Sequence, residues 1–412
     1  MLPWSVLLVL LLAVFVQGGP ACASLDECRQ QALDAASRGD YETFHDLAWR
    51  AMQKAKPNTP DLMYLLARAQ ALSGRPGDAL VMLQRLRDLG VATDAATNDD
   101  FQRVRALKGW ADFVASPAPV PAAPPPPKAG PVGPVPAAIP ETASSRLPAT
   151  ALTFDAKSLD PVGLAYDAVS RRFLVGDRSS ARLVVIDEMS HHVTNLVSAA
   201  SADFLGRISG FAIDARRGDL WVASTDEQIS ALHKLQLVSG RVLMKAATAV
   251  DESPARFEDL VVSSDGTVLA LDASGGRVFR LRPGARQFDV AQDLGVAGLR
   301  TIAPANGSTF YVANDENLLR VESGRAAAPV KAADGASLGG IRTLRWYDGS
   351  MLALQQTSTG SRLIRIVLRN AETVRRVEIL DASLPPATAG TVAGESFFYL
   401  ADGGAIRHVP LR

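Results

Sequence analysis

The sequence predicts a multidomain chain, an all-β six-bladed propeller preceded by a small all-α domain of helical repeats. Three observations carry this expectation. Six short apolar strands of one shared pattern recur through the C-terminal two-thirds, centred on Val175, Val222, Ala270, Val312, Ala353 and Leu400, so that successive spacings are 47, 48, 42, 41 and 47 residues. Ahead of them, apolar residues follow helical spacing, with turn glycines Gly39 and Gly74 lying 35 residues apart. Between the two regions stands a tract rich in proline and alanine.

The chain begins with an apolar run, Leu2 to Val16, followed by Gln17-Gly18-Gly19-Pro20-Ala21-Cys22-Ala23-Ser24. A run of about 15 residues falls short of a membrane span. It fits the hydrophobic part of a secretory signal, with Ala21-Cys22-Ala23 as the small-residue cleavage site, so residues 1–23 are assigned as a signal peptide. The n-region carries no Lys or Arg. Two competing readings hold the chain at a membrane: an uncleaved signal, or a lipid on Cys22, whose preceding Gly19-Pro20-Ala21 lacks the usual leucine. The expected location is therefore periplasmic or secreted, in a bacterial-type cell envelope. The two cysteines are Cys22 and Cys28. Cleavage after Ala23 leaves only one, and two cysteines six residues apart on a single helix, at ~1.5 Å rise, are too distant to bridge. No disulfide is expected.

Residues 24–116 read as helices. Leu33, Ala36, Tyr41, Phe44, Leu47, Ala48 and Ala51 recur at helical intervals, broken at Gly39-Asp40-Tyr41 and ended at Lys56-Pro57-Asn58. A second cycle follows with Leu62, Leu65, Leu66 and Ala69, then Gly74-Arg75-Pro76, then Ala79, Leu80, Leu83 and Leu86. The period resembles the tetratricopeptide repeat, of about 34 residues. Gly39-Asp40-Tyr41 stands at that family's turn, Ala51 at a small-residue packing position, and Ala67, Gly74 and Ala79 fall in register. The family's tryptophan is missing, and Pro57 arrives one position late. A final helix with Phe101, Val104, Leu107, Trp110 and Phe113 is expected to cap the stack. Two repeats suit docking to another protein better than reading a long peptide, so the resemblance implies a protein partner.

Residues 117–148 hold twelve prolines, including Pro124-Pro125-Pro126-Pro127. Such composition buries nothing and predicts an extended, semi-rigid spacer.

From residue 149 to 412 the pattern switches to period two. Each signature strand, such as Phe173-Leu174-Val175-Gly176-Asp177 or Phe310-Tyr311-Val312-Ala313-Asn314, has a preceding strand and a following alternating strand such as Leu183-Val184-Val185-Ile186. Asp265-Gly266 and Asp348-Gly349 supply tight-hairpin chemistry. Small residues Gly176, Ala223, Ala270, Ala313, Ala353 and Ala401 beside bulky centres permit close sheet packing. Repeats one to five each have a fourth strand, for example Arg375-Arg376-Val377-Glu378-Ile379, but the sixth stops at Arg412 after its third. Ala151-Leu152-Thr153-Phe154 is available to fill that edge and lock the ring.

Units such as Phe257-Glu258-Asp259-Leu260-Val261-Val262-Ser263-Ser264-Asp265-Gly266-Thr267-Val268-Leu269-Ala270-Leu271-Asp272 resemble the six-bladed propellers of the NHL-repeat and SMP-30/gluconolactonase-like groups. The likeness is one of fold, and fold does not fix function. It implies polar residues gathered at one mouth of a central channel, and the residues that begin the inner strands are Ser209, Glu258, Asp259, Arg300 and Arg342. The lactonase-like relatives hold a divalent cation there through carboxylates and asparagines. Carried over to this chain, the ligands are Asp177, Glu258, Asp272 and Asp402 around calcium or zinc. The family's Pro-Asn-Gly segment is absent, two arginines oppose a cation, and Asp177, Asp272 and Asp402 equally suit strand-ending turns.

Other signals are weaker. Gly335-Ala336-Ser337-Leu338-Gly339 matches a hydrolase pattern that works only on a strand-to-helix elbow, and it falls here between blades. His191-His192 begins an outer strand, His45, His233 and His408 show no metal spacing, and Asn306-Gly307-Ser308 reads as a turn. Lys+Arg and Asp+Glu are equal at 43 each, with no basic stripe, which argues against nucleic acid as a partner.

Two functions fit. The first is an exported binding or scaffolding protein needing no cofactor, whose mouth holds a small ligand or peptide through Ser209, Glu258, Asp259, Arg300 and Arg342 while the helices contact a protein partner. The alternative is a metal-dependent lactonase or ester hydrolase, the metal polarising a carbonyl.

Overall fold

The computed structural model describes residues 22–56, 58–115, 150–155, 159–188, 190–249, 254–305, 309–322, 324–332, 335–401 and 404–411. Residues 1–21 of the expected signal peptide, the 117–148 spacer, Asn306-Gly307-Ser308 and Asp402 lie outside the described residues.

Four helices stack in sequence: α1 (Leu25–Ser37), α2 (Tyr41–Lys54), α3 (Pro60–Leu72) and α4 (Pro76–Asp88). Each start has a local cause. Ser24 accepts from the Glu27 amide and Asp40 from that of Thr43, while Pro60 and Pro76 occupy first-turn positions where no amide is needed. Gly39 (φ 73°) and Gly74 (φ 81°) take the left-handed conformation that ends α1 and lets the chain turn after α3. The two glycines 35 residues apart thus play the same part in successive helix pairs. Phe101 and Val104 are buried against the stack, but the expected single capping helix is broken into Asp99–Phe101, Gln102–Arg105 and Trp110–Ala115. Gly109 stands at the break, where an added Cβ would press within 3.2 Å of Leu80.

The cysteine expectation is corrected. Cys22 and Cys28 form a disulfide, with Cα atoms 5.1 Å apart. Helical rise does not separate them, because α1 begins only at Leu25 and Cys22 lies in non-helical chain that doubles back beside the first turn.

Among the described residues, 24 strands form six four-stranded sheets, each an antiparallel up-and-down blade. The inner strands are Pro161–Asp167, Arg207–Asp214, Phe257–Val262, Leu299–Pro304, Ile341–Tyr347 and Ala387–Ala393, and they number blades 1 to 6. The second strands are the signature segments, nearly all buried because they are sandwiched between neighbouring blades. Blade 5 turns between its first two strands through Asp348 (φ 44°) and Gly349 (φ 70°), the paired positive angles of the expected tight hairpin. Blade 6 is completed by Thr150–Thr153, which pairs antiparallel with Ala405–Pro410, so strands from the two ends of the propeller sequence share one sheet and close the ring.

The helical domain does not stand apart from the propeller. One buried cluster runs from Cys28, Phe44 and Leu66 through Leu83 to Leu220, Leu237 and Val238 of blade 2. The Trp49 indole donates to the Ala215 carbonyl at 2.9 Å, and its ring packs on Gly218, where a Cβ would come within 3.0 Å. Asp78 accepts from the Ser239 amide at 2.9 Å, and Arg85 reaches Asp187 of blade 1 at 3.4 Å. Ala215 and Gly218 lie in the turn that ends the inner strand of blade 2, and Ser239 and Asp187 at the same end of the third strands Ser230–Gln236 and Arg182–Asp187, so the helices cover one end of blades 1 and 2 and leave the opposite mouth open.

Two expected outcomes follow from this docking. Trp49→Ala removes a side chain only 2% exposed and is expected to cost about 3–5 kcal/mol, with calorimetry resolving helical and propeller unfolding into separate transitions. Burial pushes the Asp78 carboxyl up to about 6, against the Ser239 hydrogen bonds and the attraction of Arg75 and Arg172. The folded chain therefore holds this proton more tightly than the unfolded chain. The stability it contributes is fully present below the unfolded value near 3.8 and is lost as the pH rises through about 6. Asp78→Asn is expected to raise the melting temperature at pH 7.5 and change it little at pH 4.5.

Candidate functional site

In each blade the inner strand carries one residue more than its neighbour at the mouth. Phe257 faces Asp272 and Asp259 faces Leu271, leaving Glu258 without a partner. The same extra residue is Ser209 in blade 2, Arg300 in blade 4 and Arg342 in blade 5. In blades 1 and 6 the register skips between Val162 and Ala165 and between Ala387 and Gly390. A bulge of this kind breaks the ladder locally and re-aims a side chain. Gly163, Ser209, Glu258, Arg300, Arg342 and Thr388 accordingly line one cavity of about 290 Å³. Room exists on the blade 1 side because Gly163 (φ +68°) has no Cβ, which would meet Phe211 at 2.6 Å.

The structure thus gathers all of Ser209, Glu258, Asp259, Arg300 and Arg342 at one mouth, as their places in the sequence predict. Arg178, Arg345 and Gln356 join them there. Asp315, which no sequence pattern singled out, organises the basic side. Arg300 donates to it through Nη2 at 3.0 Å and Arg342 through Nη1 at 2.8 Å, while Arg342 Nε also donates to Gln356 Oε1 at 2.8 Å. The hydrogen bond from Arg300 and the charge of Arg342 hold the Asp315 carboxyl below the usual carboxylate range, against slight burial. The same contact raises the Arg300 guanidinium above its ordinary value. Glu258 and Arg178 are different. Both are half-buried in the wall, and neither side chain has a hydrogen bond or ion pair among the described residues.

Asp259 is tied down by structural bonds. Its Oδ2 accepts from Thr301 Oγ1 at 2.7 Å and from the Ile302 amide at 3.2 Å, and its Oδ1 from the Leu260 amide at 2.9 Å. Thr301 Oγ1 in turn accepts from the Leu344 amide at 3.2 Å, and Thr343 donates to the Thr388 carbonyl at 2.9 Å. These bonds link the inner strands of blades 3, 4, 5 and 6. Asp259, Thr301 and Thr343 occupy the same register position, one step past the bulge, so the tie is a repeated feature of the ring.

The carboxylates assigned to a cation are not brought together. Asp272 accepts from the Arg256, Ser274 and Gly275 amides and pairs with Arg277 at 2.9 Å. Asp177 accepts from the Asp160 amide, Ser179, Ser180 and Arg182. Burial opposes its ionisation, yet these bonds outweigh it and hold the group down at about 2. Both aspartates end their strands and pin the entry of the inner strand, and neither lines the cavity. Glu258 does line it, and Asp402 lies outside the described residues. Blade 2 has Ser224 at this place, buried and 2.8 Å from His233 Nε2. Burial, then the charge of Lys245, lowers His233 to about 4. Ser337 lies in the loop between blades 4 and 5, where its carbonyl accepts from Gln355, and no elbow surrounds it.

No protein-family model matches the chain, and no curated protein does. Solved propeller structures resemble it in fold. The PQQ-bound aldose sugar dehydrogenase of Streptomyces coelicolor is 14% identical, with a TM-score of 0.48 over 64% of this chain and 96% of that one. A putative oxidoreductase (glucose dehydrogenase) of Thermus is also 14% identical, with a TM-score of 0.47 over 63% and 99%. An inactive virginiamycin B lyase of Staphylococcus aureus bound to quinupristin is 9% identical, with a TM-score of 0.47 over 62% and 82%.

Thr301→Val leaves Asp259 and the Leu344 amide without their shared partner at a position 1% exposed. It is expected to cost about 1–3 kcal/mol in urea unfolding, whereas Thr301→Ser, which keeps the hydroxyl, is expected to cost far less.

Proposed function

We propose that this chain is an exported binding or scaffolding protein whose propeller mouth holds a small polar ligand. The observation that carries the reading is the ring of bulge residues, one polar or small residue from each blade, converging on a single cavity. Its volume, about 290 Å³, suits a small molecule better than an extended peptide. Among the described residues no general base and nucleophile pair faces it: the wall offers one carboxylate without a hydrogen bond or ion pair, Glu258, beside arginines that serve recognition better than proton transfer. A metal-centred hydrolase draws little support from a donor set in which Asp177 and Asp272 are spent on turns and Arg300 and Arg342 share the mouth.

Export is supported by the N-terminal apolar run and by the Cys22–Cys28 disulfide, which persists in an oxidising compartment such as the periplasm. The bridge keeps Cys22 on the chain, so it sets aside cleavage after Ala23 and requires a signal that is cut before Cys22 or retained. A lipid thioether on Cys22 and this disulfide are exclusive uses of one sulfur, which favours a soluble or signal-anchored form over a lipoprotein. The helical domain spends one face on blades 1 and 2, and its outward face is the part available to a protein partner.

The combined variant Glu258→Ala, Arg300→Ala and Arg342→Ala is expected to remain folded, since all three are bulge residues outside the ladder. Native mass spectrometry is expected to detect a co-purifying small molecule on the wild-type chain and none on this variant. Retention of that molecule, or stoichiometric cation accompanied by Glu258-dependent lactone hydrolysis, contradicts the proposal.

A further inference from the structure

Resting on that reading of the mouth, we infer that its ligand belongs to the acidic amino-acid class, a small molecule carrying two anionic groups and one ammonium. The argument is a count of charges that remain after the protein has satisfied its own. Asp259 is bonded to Thr301 and the Ile302 amide and stands 3.9 Å from Arg345, so this acid and this base balance each other within the wall. Asp315 serves both Arg300 and Arg342, one carboxylate against two guanidiniums, leaving a net positive charge with free donor edges. Arg178 has no partner among the described residues and adds a second positive point on the blade 1 side. Glu258 feels the charge of Arg300 but makes no hydrogen bond or ion pair, and among the described lining residues it is the one carboxylate left so, on blade 3 between Ser209 and Arg300.

A half-buried charge held by no hydrogen bond or ion pair costs free energy that a ligand can recover. Guanidiniums recognise carboxylate or phosphate through paired donors, and an ionised glutamate, which accepts only, recognises an ammonium. Two separate basic points and one acidic point thus fit a ligand of net charge −1 whose cation lies near Glu258. The Asp315 clamp matters here, because it holds Arg300 and Arg342 in one arrangement before the ligand arrives and reduces the ordering cost of binding. The Ser209 and Thr388 hydroxyls add neutral contacts on the remaining blades.

Calorimetric titration of the full chain tests this with L-glutamate and L-aspartate, set against glutarate and N-acetyl-L-glutamate, which lack the ammonium. At least one amino acid is expected to bind about tenfold or more tightly than either analogue. Glu258→Gln is expected to erase that preference while leaving glutarate binding unchanged or stronger, and Arg178→Ala to weaken amino acid and glutarate alike by about tenfold. Glutarate matching the amino acids in the wild-type chain, a preference that survives Glu258→Gln, or no saturable binding of either amino acid up to about 10 mM overturns the inference. If one of these results comes with loss of the co-purifying molecule in the Glu258, Arg300 and Arg342 triple variant, the mouth stands as a site and only the ligand class falls. If the triple variant keeps that molecule, the mouth itself is the wrong site.

Discussion

Sheets arranged around an axis crowd most where their first strands meet, and every feature of this mouth answers that crowding. A strand in strict register places alternate side chains between adjacent blades, where Leu299, Ile341 and Phe257 already fill the space. One extra residue per inner strand frees a side chain from that alternation and turns it toward the axis. The bulge is thus what converts a packed ring into a ring with a polar mouth, and it occurs in all six blades.

Two sets of bonds hold the bulges in place. On the outside, the residue ending the signature strand reaches back to the segment entering the inner strand in blades 1, 2, 3 and 5, as Asp177 does to the Asp160 amide and Asp272 to that of Arg256. On the inside, the Asp259–Thr301–Leu344 chain and the Thr343–Thr388 bond join successive blades one residue beyond the bulge. The polar residues of the mouth are therefore mounted on a backbone fixed from both sides. The helical domain stays clear of this end, packing Trp49 and Asp78 against turns at the other.

Much of this was legible in the residues. The recurring Val-Ala and Leu-Ala centres located the second strands, and the want of a fourth strand in the sixth repeat pointed to closure by the segment around Leu152. The beginnings of the inner strands marked Ser209, Glu258, Asp259, Arg300 and Arg342 as one set, because residues at equivalent places in a repeat must sit at equivalent places in space. The bonding of Asp259 was not legible, although its place at the mouth was: whether a carboxylate faces solvent or bonds a threonine 42 residues away is decided by the neighbouring blade. Asp315 and Arg178 escaped notice for a related reason, since they enter from the hairpin linking second and third strands, where no shared pattern marks them. The Cys22–Cys28 bridge was missed by carrying α1 too far toward the N-terminus, although Ser24 followed by Glu27 is a capping signal. The docking of the helices was hidden for want of any pattern: Trp49 lies on an ordinary amphipathic helix, and its complement is a glycine turn far along the chain.

The most direct test of the central claim is a crystal structure of the full chain at a resolution that fixes inner-strand register. The account predicts six blades, with Glu258, Arg300 and Arg342 each unpaired in its ladder and aimed at one common cavity. A ring of five or seven blades, or strict register that carries those three side chains into the spaces between blades, would contradict it.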